Sequence, residues 1–316
     1  MANRIPAVVA GVSELQANDP TLRVATELAR AAHAELHLVH AYQMPPLMTM
    51  TPGLEAAFPE GYARYAEMLR ASLESAAHAL PGGEAAHCRI VLGAAGLVLA
   101  DVAAEVSAGL LIVGAAHGTR LGRAMLGTTA QRALRESRVP VLVARRPVTL
   151  PPGRVLLTTD LSELSGAVHD TALGTIATFF GPPAQARSLM VLGWMGVPAP
   201  LTSGVLDRAA HEELDAFLRA HRTLEGGVEP VVRTGFTAEE IVGEALDWEA
   251  DLLVVGTHAR GWGARLMLGS VAEATLRDAP CNVLAIPPMR VARVTAPMEE
   301  SATDAVEAAA MAGAAL

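Results

Sequence analysis

The residues of this chain best placed for chemistry are Gly256, Thr257, His258, Ala259 and Arg260, followed after a further stretch by Gly269 and Ser270. Nine residues separate Ala259 from Gly269. Small residues at 256, 259 and 269 let backbone N–H groups come close to a phosphate chain. Ser270, at or near the start of a helix, would add a hydroxyl and the positive end of the helix dipole. His258 and Arg260 offer charge for the phosphates. Asp160, which ends a separate apolar run, would accept hydrogen bonds from a base or a ribose. The same residues also suit plainer tasks: Ser270 as an N-cap, and Asp160-Leu161-Ser162 as a helix start.

Other chemistry is harder to find. There is no G-x-x-x-x-G-K-[ST] motif for P-loop hydrolysis. His40, His117 and His258 have no acid or nucleophile at a recognisable spacing, and no Cys/His pattern suggests a metal. The expectation is a binding protein without dedicated catalysis, with weak ATP hydrolysis as the upper limit of its activity.

The positioning elements alternate between strands and helices. Apolar runs at Ile5 to Ala10, Leu110 to Val113, Val155 to Thr159, Leu252 to Val255 and Asn282 to Ile286 read as buried parallel strands. Helical spacing predicts helices over Pro20 to His33, Tyr62 to Leu80, Gly96 to Ser107, Leu206 to Leu224 and Ala238 to Trp248. In an open parallel sheet the ligand sits beyond the carboxyl ends of the strands, where strand order reverses. The first and fourth strands of each half would lie side by side there, so Asp160 and Gly256 would face one crevice.

The chain repeats itself. Gly93 and Gly235, Gly114 and Gly256, Arg123 and Arg265, and Met125-Leu126-Gly127 and Met267-Leu268-Gly269 all match at one offset of 142. Leu134-Arg135 with Leu276-Arg277, and Val141-Leu142 with Val283-Leu284, keep that register. At the first strand, matching Gly11 to Asp160 sets the offset at 149, so the first half should carry about seven extra residues after its second strand. The expected organisation is a domain over 1–146, a proline-rich linker over 147–153, a second domain over 154–288 and an Ala-rich, disordered tail over 289–316.

Composition narrows the class. The 316 residues are 51% hydrophobic and 18% charged, with a net charge of −9, so each half can bury a core. Only 3% are aromatic and no basic face stands out, which argues against nucleic acid as a partner. Cys88 and Cys281 are expected to be buried reduced thiols. No apolar segment suits a membrane span or signal peptide, so a cytoplasmic location is expected. Two apolar loops, Met44 to Pro52 and Trp194 to Leu201, both follow a second strand. They support a second reading, in which the chain holds an apolar small molecule or docks a protein partner.

The glycine pattern, Asp160-Leu161-Ser162-Glu163-Leu164-Ser165 and Ala279-Pro280-Cys281-Asn282-Val283-Leu284 together resemble the universal stress protein family, in its tandem form. The resemblance spans about residues 4–145 and 154–287. It implies two α/β domains, each with a five-stranded parallel sheet in order 3-2-1-4-5. Their fifth strands would pair antiparallel within the chain to make an intramolecular pseudo-dimer, and two tandem chains could form a homodimer. It also implies a stress or signalling role with an adenine nucleotide, ATP or AMP with Mg²⁺, as cofactor. Asp160, Val191, Gly256, Thr257, His258, Ala259, Arg260, Gly269 and Ser270 would line that site, with adenine near Val191. Ala259 departs from the family pattern, which has glycine there. The first half departs further, with His117 at the same position and Gly11 in place of the acid, so no triphosphate site is expected in it.

Overall fold

The computed structural model describes residues 5–43, 59–115, 126–193, 203–221, 223–224, 226–257 and 268–287. The apolar stretches Met44 to Pro52 and Trp194 to Leu201, the whole C-terminal tail, His117, His258, Ala259 and Arg260 lie outside these residues. The first half runs β1 (Ala7–Gly11), α1 (Pro20–Ala31), β2 (Glu35–Tyr42), α2 (Pro59–His78), β3 (His87–Leu92), α3 (Ala95–Glu105), β4 (Leu110–Gly114), α4 (Thr128–Glu136) and β5 (Val141–Ala144). The second half repeats the series as β6 (Arg154–Thr159), α5 (Ser165–Phe179), β7 (Gln185–Gly193), α6 (Ser203–Ala220), β8 (Glu229–Gly235), α7 (Thr237–Asp247), β9 (Leu252–Gly256), α8 (Ser270–Asp278) and β10 (Asn282–Ile286). Element ends shift by a few residues from the sequence reading, most in α6, which runs Ser203–Ala220 rather than Leu206 to Leu224.

All ten strands share one sheet, in the order β3-β2-β1-β4-β5-β10-β9-β6-β7-β8. Each half, read inward from its outer edge, runs third, second, first, fourth, fifth. The sheet is therefore continuous across the chain. The reason lies in the apolar runs: successive side chains of a strand point to opposite faces, so a strand apolar at every position needs cover on both. Val8, Ala10, Leu110 and Ile112 pack with α1, while Val9, Leu111 and Val113 pack with α3 and α4. The second half does the same, with Leu252 and Val254 against α5 and Leu253 and Val255 against α7 and α8. Fully buried leucines such as Leu22 and Leu28 on α1 each contribute about 2 kcal/mol of apolar transfer.

The halves meet where β5 and β10 pair antiparallel, with Leu142 opposite Leu284. Those two leucines occupy the same position of the repeat, so a pseudo-twofold axis passes between them. The joint is not fully symmetric. Asn282 Oδ1 accepts from the backbone N–H of Arg145 at 2.8 Å and of Arg146 at 3.1 Å. Its counterpart in the first half is Pro140, which cannot return the contact. The Arg145 guanidinium donates to the carbonyls of Leu276 and Arg277, capping the end of α8 with a cation. Asp251 then ties down the linker's exit, accepting from the N–H groups of Gly153 at 2.9 Å and Arg154 at 3.0 Å.

Strand register corrects one expectation about the repeat. Val8 pairs with Leu110 and Val155 with Leu252, so an offset of 142 in the fourth strand goes with 147 in the first. Asp160 therefore corresponds to Ser13, and Gly11 corresponds to Thr158. His37 pairs with His87 and Arg187 with Glu229, which sets the second-strand offset at 150. The extra residues of the first half do lie between its second and third strands. The second half partly compensates with a longer connection between its first and second strands.

Candidate functional site

A crevice opens where β6 and β9 part. Their ladder ends at Leu157 and Val254, whereas β9 stays paired with β10 as far as Gly256 and Ile286. β6 meanwhile stays with β7 as far as Thr159 and Met190. The two strands are pulled toward opposite neighbours, as expected where strand order reverses. Thr158 Oγ1 donates to the Val254 carbonyl at 2.9 Å and closes the last backbone acceptor at the mouth.

The turn after β6 is held by its own side chains. Thr159 Oγ1 accepts from Leu161 N–H at 3.1 Å, with Leu161 at φ +52°. Asp160 is exposed, and its Oδ1 accepts from Ser162 N–H at 3.0 Å and from Ser165 Oγ at 2.7 Å. Asp160 thus closes a turn ahead of α5 rather than capping it: the helix starts at Ser165 with Leu164 as N-cap and, among the described residues, no side-chain cap. The helix-start role suggested by the sequence is not realised, and the carboxylate stands at the rim of the crevice.

On the other wall, Thr257 is a brace. Its N–H donates to the Ile286 carbonyl at 3.0 Å, and its own carbonyl accepts from Gly269 N–H at 3.1 Å. Thr257 and Gly269, which flank residues 258–267, are thereby fixed against each other. Gly269 is the N-cap of α8 and Ser270, exposed, is the first helical residue. Ser270 is therefore not the N-cap, and among the described residues no side chain caps α8. The N-cap glycine cannot itself supply the side-chain oxygen that usually serves the first N–H groups of a helix. Val191 lies half-buried near the end of β7, against the cluster covered by α7 and α8. The structure thus brings Asp160, Gly256, Thr257, Gly269 and Ser270 to one end of the sheet, with Val191 on the neighbouring strand.

Gly256 and its counterpart Gly114 differ in a telling way. Among the described residues a Cβ added to Gly256 would meet only Val168, at an ordinary 3.6 Å, and its φ is not in the left-handed region. Neither the backbone conformation nor packing against the described residues requires a glycine there. A Cβ on Gly114 would lie 2.7 Å from Thr21 Oγ1. The first-half mouth is filled from within. Asp19, fully buried, caps α1 by accepting from the N–H groups of Thr21 at 2.8 Å and Leu22 at 2.9 Å. It also accepts from Glu14 N–H at 2.9 Å and Ser13 Oγ at 3.3 Å. Gly11 is crowded by Leu99, whose Cδ1 would be 2.6 Å from an added Cβ. Sequence reasoning passed over Asp19, although Asp followed by Pro at the first helical position is a recognised helix-start signal.

The remaining candidates are structural. His40 Nδ1 lies 2.9 Å from the Val12 carbonyl. Cys281 is buried and Cys88 half-buried, and burial pushes both thiols up to about 11, so neither is a nucleophile at neutral pH. A cavity of about 320 Å³, lined by Gln185, Arg187, Leu224, Glu229 and Trp248, lies at the opposite end of β7 and β8 from the crevice. No described helix is long and apolar enough to cross a membrane.

Two doubly wound halves, joined by their fifth strands, define a tandem α/β protein. The chain matches the universal stress protein family over residues 5–145 and 153–287, and it belongs to that family. A universal stress protein of Mycobacterium tuberculosis (strain H37Rv) is 30% identical over 198 residues, covering 60% of this chain and 68% of the relative. Another from the same organism is 26% identical over 292 residues, covering 88% and 95%. Among solved structures, a universal stress protein from Archaeoglobus fulgidus superposes with a TM-score of 0.58 at 15% identity, covering 89% of this chain and 98% of that one. A functionally unknown protein from Pseudomonas aeruginosa PAO1 gives 0.60 at 17%, covering 90% and 93%.

Proposed function

We propose that the second half binds an adenine nucleotide, ATP or AMP, in the crevice between β6 and β9, and that the chain responds to its occupancy without dedicated catalysis. The observation that carries this reading is Gly256, a glycine that neither its backbone conformation nor its packing against the described residues requires. Its use is then to let something outside the chain approach the backbone closely. The uncapped start of α8 supports the placement of the phosphates, with Mg²⁺ accompanying a triphosphate. Asp160 at the rim is suited to a ribose or base donor. His258, Ala259 and Arg260 belong to the proposed site by their place in the sequence between Thr257 and Gly269. The first half, with its mouth filled by Asp19, Thr21 and Leu99, takes no nucleotide.

Calorimetric titration of the full chain with ATP and Mg²⁺ tests the reading. Ser270→Ala should weaken binding by about tenfold or more, the worth of a hydrogen bond to a charged group. Thr128→Ala, at the equivalent position of the first half, should leave it unchanged. A chain that binds no adenine nucleotide, or binds it equally well in Ser270→Ala, overturns the proposal.

One observation favours the second reading, an apolar ligand or protein partner. At the end of β2, Tyr42 pairs in register with Leu92 and meets Tyr65 ring to ring at 6.0 Å, and Tyr65, Met68 and Leu92 are all exposed. This patch adjoins the chain's entry into residues 44–58. Native mass spectrometry showing a co-purified apolar compound, with no ATP response, would decide for it.

A further inference from the structure

The outer edge of the first half holds a cluster of a different kind, at the amino-terminal ends of β2 and β3. Glu35 and His37 are two residues apart on β2 and so share a face of the sheet. His87 is the partner of His37 on the neighbouring strand β3. The His37 side chain is 8% exposed, and both of its ring nitrogens are buried without a hydrogen-bond partner. A neutral imidazole carries one N–H and one lone pair, and leaving such a group buried and unmet costs about 1–3 kcal/mol. Glu35 Oε2 lies 3.8 Å from His37 Nε2, too far for a hydrogen bond. That separation is close to the ~3.4 Å expected between two ligands held tetrahedrally about 2.1 Å from one ion. The His87 ring is stacked on His37 at 4.9 Å and is exposed, so it is free to turn a nitrogen toward the same point.

The duplication supplies a control. The residues matching His37 and His87 are Arg187 and Glu229, which satisfy each other directly at 2.8 Å. Where one half has a complementary ion pair, the other has two imidazoles beside a carboxylate. We propose that Glu35, His37 and His87 form a site for a divalent transition-metal ion of the zinc class. Among the described residues no three such side chains converge on one point as they stand, so the proposed site requires the His87 ring to leave its stack on His37 and turn toward the ion. Burial, then His87 and Arg89, hold the His37 pKa below its usual value, with Glu35 opposing, so the ring keeps its lone pair at neutral pH. The nearby cation, Arg89, is engaged by both carboxylate oxygens of Glu105 at 2.9 Å. The fifty residues between the two histidines concealed the cluster from motif reading.

Titration of the metal-free full chain with Zn²⁺, in the absence of nucleotide, tests the site. About one ion per chain should bind, with affinity falling about tenfold or more in His87→Ala and measurably in Glu35→Gln. Both residues are exposed, so the fold should survive either change. No stoichiometric binding, or binding that is equally tight in both variants, overturns the proposal.

Discussion

Gln131 Nε2 and Glu273 Oε1 lie 3.5 Å apart, and the two residues occupy the same position of the repeat. The contact joins the first turns of α4 and α8 across the pseudo-twofold axis. Had both copies kept glutamate, two carboxylates would face each other there. Replacement of one by an amide turns repulsion into a hydrogen bond.

Gln131→Glu should therefore destabilise the chain by about 0.5–1 kcal/mol, the scale of a partly exposed like-charge pair. The loss should shrink as salt rises. Urea unfolding at two ionic strengths checks both points, and an unchanged midpoint would count against the contact.

Glu244 is buried on α7 between two arginines, accepting from Arg187 Nη1 at 2.9 Å and Arg233 Nε at 2.7 Å. Arg187 also lies 4.5 Å over the Trp248 ring. Glu244→Ala leaves two partly buried cations without their shared partner and should cost about 3 kcal/mol. Glu244→Gln should fall between, as read by chemical denaturation.

Acid should act through His37. Burial, with His87 and Arg89 nearby, lowers its folded pKa below 6.5, while Glu35 pulls the other way. The unfolded chain then takes up the proton first. Stability from this group is complete above about pH 6.5 and is lost as pH falls toward the folded pKa, at no more than about 1.4 kcal/mol per pH unit. The difference in stability between pH 7.5 and 5.5, measured with metal removed, should be smaller in His37→Gln than in the parent chain.

Asp19 and Asp160 should respond in opposite ways to the same change. Asp19→Asn disturbs a buried carboxylate with four donors and should cost about 2–3 kcal/mol. Asp160→Asn, at an exposed rim, should cost less than about 1 kcal/mol and be read instead as weaker ATP binding. Parallel thermal melts and titrations of the two variants separate these outcomes.

The fold was largely legible because its signals are redundant. Matched glycines, apolar runs and the Leu134/Leu276 helix positions all carried one offset, while the pairing of β5 with β10 came from the family resemblance, which set Val141 to Val143 against Val283 to Ala285. The first strand was misplaced by two residues because Gly11 and Asp160 both looked like strand exits. Only hydrogen-bonded register, Val8 with Leu110 and Val155 with Leu252, fixes the match. Asp19 was missed because its carboxylate entered the crevice from a helix rather than a strand end. The Glu35, His37 and His87 grouping was invisible for a related reason: strand pairing, not sequence distance, makes those side chains neighbours.

Because β5 and β10 belong to one polypeptide, the mate of each half can never be diluted away. The tether keeps the halves at high local concentration however scarce the protein is in solution. Neither copy has to remain self-complementary to find its mate. Freed from that obligation, one copy could give up its mouth to Asp19 and the other keep Gly256 open.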